Sequence, residues 1–297
     1  MNHVLGVRRV AIVLAAASAT VTFCAAEDVT LPHPTHGIVQ IATDQSGASL
    51  SRFSNSKYSL NWSGYALPSY TTAATYTSAQ ATWAVPAVTY QSGVLEQKLL
   101  GVDPPELSSA WVGIGGYCEN STCSKRDTTL IQLGTAQEAV SPGVSVYYAW
   151  YELLPAAPVL IPKVIHAGDS ITASLSCTAL CAVGTQSWTL SMSDATAGWE
   201  WSTTVSYASS MLSSEWIVEA PTSTTYGILP LPNYVLTSFI PVSANGLNPS
   251  LAAADAITMI DPWGATSSPS SATSGDEFNT CWGSSLKPGA CSAPSVP

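Results

Sequence analysis

Ser170-Ile171-Thr172-Ala173-Ser174-Leu175 and, a turn later, Ser187-Trp188-Thr189-Leu190-Ser191-Met192 set a polar residue against an apolar one at every step. Successive side chains of a strand point to opposite faces, so this period of two predicts strands with one face buried and the other facing water. Working outward, short runs rich in Val, Ile, Thr, Tyr and Trp recur from Tyr58 onward, broken by Gly, Pro, Ser or Asn. Examples are Ala79–Val85, Ala110–Ile114 and Val144–Tyr151. No segment carries a sustained 3.6-residue period with caps. Many short strands separated by turn signals predict an all-β fold, a sandwich of two antiparallel sheets in one large domain.

Composition narrows the chemistry. Charged residues make up 9% of the 297-residue chain, against a usual ~25%, while 46% are hydrophobic and there are 10 Trp and 12 Tyr. Such a chain can bury a core. The net charge is −10 with only 9 Lys+Arg, so no basic patch exists to neutralise a phosphate backbone, and nucleic acid is excluded as a partner. Of the four histidines, His3, His33 and His36 lie near the N-terminus. His166 sits in the turn-like His166-Ala167-Gly168-Asp169, where it reads as a surface residue. A multi-histidine metal site or a Ser-His-Asp triad is therefore poorly supplied.

Arg8-Arg9, the apolar run Ala11–Thr22 and Cys24-Ala25-Ala26 form the pattern of a secretory signal peptide, predicted to end at Ala26. The expectation is a secreted chain with no membrane attachment after cleavage. Cys24 would leave with the leader, and the remaining cysteines fall into close pairs: Cys118 with Cys123, Cys177 with Cys181, Cys281 with Cys291. In an exported chain these predict short-range disulfides; a zinc site is the weaker alternative. The predicted organisation is a signal peptide over 1–26, a propeptide or linker over 27–57, the β-sandwich over 58–263, and a loop-like Ser/Pro-rich tail over 264–297, stapled by its cysteine pair.

Polar residues inside apolar strands need explaining, because a buried carboxylate is costly without partners. Glu152 follows Trp150-Tyr151, Gln132 interrupts Leu130-Ile131-Gln132-Leu133, and Glu215 and Glu219 share a strand face with Ile217, opposite Trp216 and Val218. Pattern alone puts any one of them on a solvated face.

Asn61-Trp62-Ser63-Gly64-Tyr65, Ser109-Ala110-Trp111-Val112-Gly113-Ile114, Leu130-Ile131-Gln132-Leu133-Gly134-Thr135, Tyr148-Ala149-Trp150-Tyr151-Glu152 and Glu215-Trp216-Ile217-Val218-Glu219 occur in this order. Together they resemble the eqolisin family of glutamic peptidases over roughly residues 58–262. The resemblance implies a lectin-like (concanavalin-like) sandwich of two antiparallel sheets and a secreted, pepstatin-insensitive acid endopeptidase. It implies protein or peptide substrates, and neither cofactor nor metal; we expect a monomer. It assigns the catalytic pair to Gln132 and Glu215, with Glu219 the nearest competitor for the carboxylate, and lines the groove with Trp62 and Trp111. Glu152 is either a residue that positions the pair or the substrate, or simply a polar residue on the exposed face. Relatives often carry Asp where this chain has Gly115, and Tyr117–Arg126 reads as a loop inserted beside the groove. By the same analogy residues 27–57 form a propeptide over the groove, with His33, His36 and nearby carboxylates as its acid-sensitive part.

In that chemistry a carboxylate takes a proton from the attacking water and returns it to the leaving nitrogen, while the Gln amide stabilises the oxyanion. A carbohydrate-binding sandwich without hydrolytic activity is the alternative, since groove tryptophans also stack on sugars. A glycoside hydrolase would need two facing carboxylates, which a Glu with a Gln does not supply.

Overall fold

The computed structural model describes residues 33–42, 57–91, 104–182, 184–284 and 290–295. The predicted signal peptide and Cys24 lie outside these residues. Strands in chain order are β1 (Lys57–Ser59), β2 (Trp62–Pro68), β3 (Ser78–Ala84), β4 (Glu106–Gly115), β5 (Leu130–Ser141), β6 (Val144–Leu153), β7 (Val159–Val164), β8 (Ser170–Ala179) and β9 (Gln186–Asp194). They continue with β10 (Trp199–Tyr207), β11 (Ser213–Glu219), β12 (Thr222–Ser223), β13 (Gly227–Ile228), β14 (Leu236–Ala244), β15 (Ala256–Ile260), β16 (Ala265–Pro269) and β17 (Phe278–Ser284). One short helix, Ser69–Thr72, and a single 3-10 turn, Ala253–Asp255, are the only helical elements among the described residues.

Fifteen strands hydrogen-bond in the order β10-β9-β8-β3-β14-β17-β16-β15-β2-β11-β4-β5-β6-β7, antiparallel throughout, with β1 added parallel to β15, while β12 and β13 pair with each other as a separate antiparallel ribbon. This path folds over into two layers. Ala81 and Trp83 of β3, Ile171 and Leu175 of β8, Trp188 and Leu190 of β9, and Phe239 of β14 pack on Val112, Ile131, Leu133, Trp216 and Val218 of the other layer. Indole donors buried at this seam find acceptors across it: Trp83 Nε1 donates to Thr135 Oγ1 at 3.0 Å and Trp216 Nε1 to the Gln80 carbonyl at 2.8 Å. The predicted all-β sandwich is the observed fold, and β8 and β9 alternate buried and half-buried residues as their period of two requires.

The loop-like reading of 264–297 is corrected in part. Ser/Thr/Pro composition concealed β16 and β17, which pair with each other and carry the sheet from β15 to β14. Phe278 and Thr280 are fully buried there, and Cys281 is bridged to Cys291. The other predicted bridges, Cys118–Cys123 and Cys177–Cys181, are present as well.

The layer β2-β11-β4-β5-β6 positions the site. Its core side is apolar; its other side carries Trp62, Ala66, Ile217, Trp111, Ala136 and Trp150, which form a second buried cluster. Facing water was the expectation for this side, yet it is covered. Val39 joins that cluster because residues 35–42 run across it.

Candidate active site

Cross-strand register decides which side chains can meet. Glu215 of β11, Gly113 of β4, Gln132 of β5 and Glu152 of β6 are direct partners in one transverse row. The next row holds Ile217, Trp111, Gly134 and Trp150, and the row beyond holds Trp62, Glu219, Ser109, Ala136 and Tyr148. All these side chains share one face, opposite the core. Glycine is needed at 134 because a Cβ there would collide with Trp111 and the Ala110 carbonyl. At 113, a Cβ would come within 2.9 Å of Trp111 Cζ3. The Trp111 indole thus lies over the gap between Glu215 and Gln132.

The segment from Thr35 to Ala42 lies on this face with its peptide groups held one after another. Thr35 exchanges both backbone hydrogen bonds with Thr222, at 3.0 and 2.9 Å. His36 N donates to Glu152 Oε2 at 2.9 Å, and the His36 carbonyl accepts from Gln132 Nε2 at 2.7 Å. Gly37 N donates to Glu219 Oε1 at 2.9 Å, and the Gly37 carbonyl accepts from Trp62 Nε1 at 3.0 Å. Asn61 donates to the Ile38 carbonyl at 3.1 Å and accepts from Gln40 N at 2.8 Å. Val39 bonds Gly116 and Arg126, both flanking the Cys118–Cys123 loop. That loop does stand beside the groove, and it grips the segment.

One peptide unit, His36–Gly37, is therefore bracketed: its oxygen by Gln132 and its nitrogen by Glu219. Trp111 Nε1 fixes the far oxygen of Glu219 at 2.9 Å, and Asn61 Nδ2 lies 3.4 Å from the near one. Gln132 Nε2 also lies 3.4 Å from Glu152 Oε2, while Gln132 Oε1 and Glu152 Oε1 are buried without a partner among the described residues.

Gln132, Glu152, Glu215 and Glu219 are all fully buried. Burial pushes the Glu219 carboxyl well above the ordinary range and the Glu152 charge adds to this, against the pull of the Trp111, Gly37 and Asn61 donors. Burial likewise holds the Glu215 carboxyl well above that range; the Ser213 hydroxyl pulls the other way, the Asp127 charge adds to the rise, and the Gly115 amide opposes it. Neither Glu215 oxygen meets a donor at full hydrogen-bond geometry among the described residues.

The structure thus brings Gln132, Trp62, Trp111 and Glu152 together with Glu219. Glu215 is four residues away along β11 and has no hydrogen bond to the pair or the segment. Gly115 has φ +97°, and a Cβ there would collide with the Thr129 carbonyl oxygen, so an Asp at this position does not fit this backbone. Sequence reasoning assigned no role to Asn61 or Trp150, and gave His36 only an acid-sensing part in the expected propeptide, not a place on the groove. His36 lies in a stretch without periodicity and had no signal beyond being a histidine; Trp150 had one, its shared face with Glu152 two residues on. Among the described residues no group of three or more His, Cys, Asp or Glu is arranged to hold a metal ion.

Fold and site together define a β-sandwich whose outer face binds an extended peptide over a buried amide and carboxylates. Comparison with known proteins makes the class specific. The chain belongs to the peptidase A4 family, whose model matches residues 60–282, and it is a hydrolase of the glutamic peptidase kind. Among solved structures it is similar to aspergilloglutamic peptidase from Aspergillus niger, with 23% sequence identity, 60% of this chain and 99% of that one covered, and a TM-score of 0.43. No curated protein sequence matches it.

Proposed function

We propose that the chain is an exported, pepstatin-insensitive acid endopeptidase in which Glu219 and Gln132 carry out hydrolysis and residues 33–42 cover the groove before activation. The observation that carries this reading is the bracketed His36–Gly37 peptide unit, which lies on the pair as a substrate bond would. Departure of the segment lets water reach Glu219 and relieves the burial that raises its carboxyl; the ionised group then accepts a proton from water as the water oxygen bonds to the scissile carbonyl carbon. Gln132 Nε2 donates to the oxygen that gains negative charge, from the position it already holds on the His36 carbonyl. Glu219, now a carboxylic acid, passes the proton to the amide nitrogen as the C–N bond breaks; the 2.9 Å between Gly37 N and Glu219 Oε1 supports this step. An amide suits Gln132's role because it keeps its donor at any pH.

This reading moves the carboxylate role from Glu215, expected from the resemblance, to Glu219. The disulfides support export, since such bridges persist in oxidising compartments. The test is an assay on denatured protein at acid pH with pepstatin present. Glu219→Gln and Gln132→Ala should each lose about 10²-fold or more in kcat, and Glu215→Gln should retain most activity. An inactive Glu215→Gln beside an active Glu219→Gln would return the role to Glu215.

A further inference from the structure

The side chain of His36 occupies a site of its own. It is fully buried, and its ring lies flat on Trp150, with centroids 3.5 Å apart and planes 3° from parallel. Its Nδ1 is 3.2 Å from Glu152 Oε2, the atom that also takes the His36 N–H. Both walls are fixed independently of the segment. Trp150 Nε1 donates to Ser109 Oγ at 3.0 Å, and Glu152 is the direct cross-strand partner of Gln132. Two residues apart on one strand, platform and acceptor present a flat face and a carboxylate to the same side chain.

We infer that Trp150 and Glu152 form a subsite selective for histidine on the carbonyl side of the cleaved bond, so that the substrates are peptides with His immediately before the scissile bond. This rests on the peptidase reading above. A leucine there gives up face-to-face stacking and removes the imidazole from Glu152, leaving its Oε2 with the backbone N–H and the longer Gln132 contact. A phenylalanine keeps the stacking but not the donor. A donor lost from a buried acceptor in this way discriminates more strongly than lost apolar contact. On the leaving side a Cβ added at Gly37 would meet nothing within 4 Å, so an alanine would fit there.

The experiment uses the full chain after acid incubation and the decapeptide of residues 33–42, together with versions carrying His36→Phe or His36→Leu, with products identified by mass. The His peptide should be cut between positions 36 and 37 with a kcat/KM about tenfold or more above either version at the least acid pH at which the enzyme works, where the imidazole enters neutral, and the margin should narrow as pH falls. In the Glu152→Gln enzyme that advantage should shrink. Equal or faster cleavage of the Leu or Phe peptide, by enzyme that digests denatured protein, overturns the subsite; so does cleavage of the His peptide at another bond. If neither denatured protein nor any peptide is cut at any pH, the peptidase reading fails and takes this inference with it. The wild-type peptide series needs no variant to fold.

Discussion

Glu215 and Glu219 differ by one helical-sounding interval of four residues, but on a strand that interval means the same face and about 13 Å of separation. Parity could be read from the sequence, and it correctly put both opposite Trp216 and Val218. Which one meets a peptide depends on where the segment crosses β11 and where the Trp111 indole lies, and neither is encoded locally. Gln132, Trp62 and Trp111 were placed on this face by the ordered blocks that resemble the family, whereas pattern alone put Gln132 on a solvated face. Glu215 has its own signature in stability. Its carboxyl is raised by burial, so the folded chain holds a proton that the unfolded chain releases. The resulting stability is complete below the unfolded carboxylate value and is lost as pH rises toward the raised folded value. Glu215→Gln cannot ionise, so urea midpoints measured from acid to neutral pH should decline less steeply in this variant than in wild type.

At the scale of elements, the segment from Thr35 to Ala42 behaves as a guest strand. Its backbone is satisfied by side chains of β2, β5, β6 and β11 as well as by neighbouring backbone, and so no hydrophobic pattern announces it. His36 is faced by Glu152 and by His33, with Glu219 one peptide unit away; burial, the largest influence, lowers its pKa. A lowered histidine pKa means that the covered state is favoured above the ordinary histidine range and disfavoured as pH falls through it, because the released imidazole takes up the proton more readily. Hydrogen exchange across residues 33–42, corrected for its intrinsic pH dependence, should show protection at neutral pH and its loss in acid. His36→Ala removes the ring and should leave the segment weakly protected at both. β16 and β17 were illegible for a different reason: Ala265-Thr266-Ser267-Ser268-Pro269 has no apolar alternation, and it becomes a strand because β15 and β17 supply partners on both sides.

At the scale of the molecule, two layers share one core, and aromatic contacts hold its centre. Phe239 stacks on Phe278 with centroids 5.0 Å apart and meets Trp83 at 5.9 Å. Phe239→Ala should cost about 3–5 kcal/mol, seen as a lower urea midpoint with an unchanged slope. The sandwich itself was plain from alternation in β8 and β9, since that pattern needs only local reading. Low charge fits the same picture. With 9 Lys+Arg and four His in all, the positive charge the chain can gather in acid is limited, and so is the self-repulsion that unfolds many proteins there.

Along β5, Ile131, Leu133 and Thr135 point to the core while Gln132, Gly134 and Ala136 point to the groove. Sliding this strand by a single residue would put the amide among aliphatic side chains and leucine under the substrate. Hydrolytic competence and correct assembly are therefore read out by one and the same frame. A single-residue deletion in β5 should abolish both together, and a preparation that retains turnover certifies its own pairing of strands.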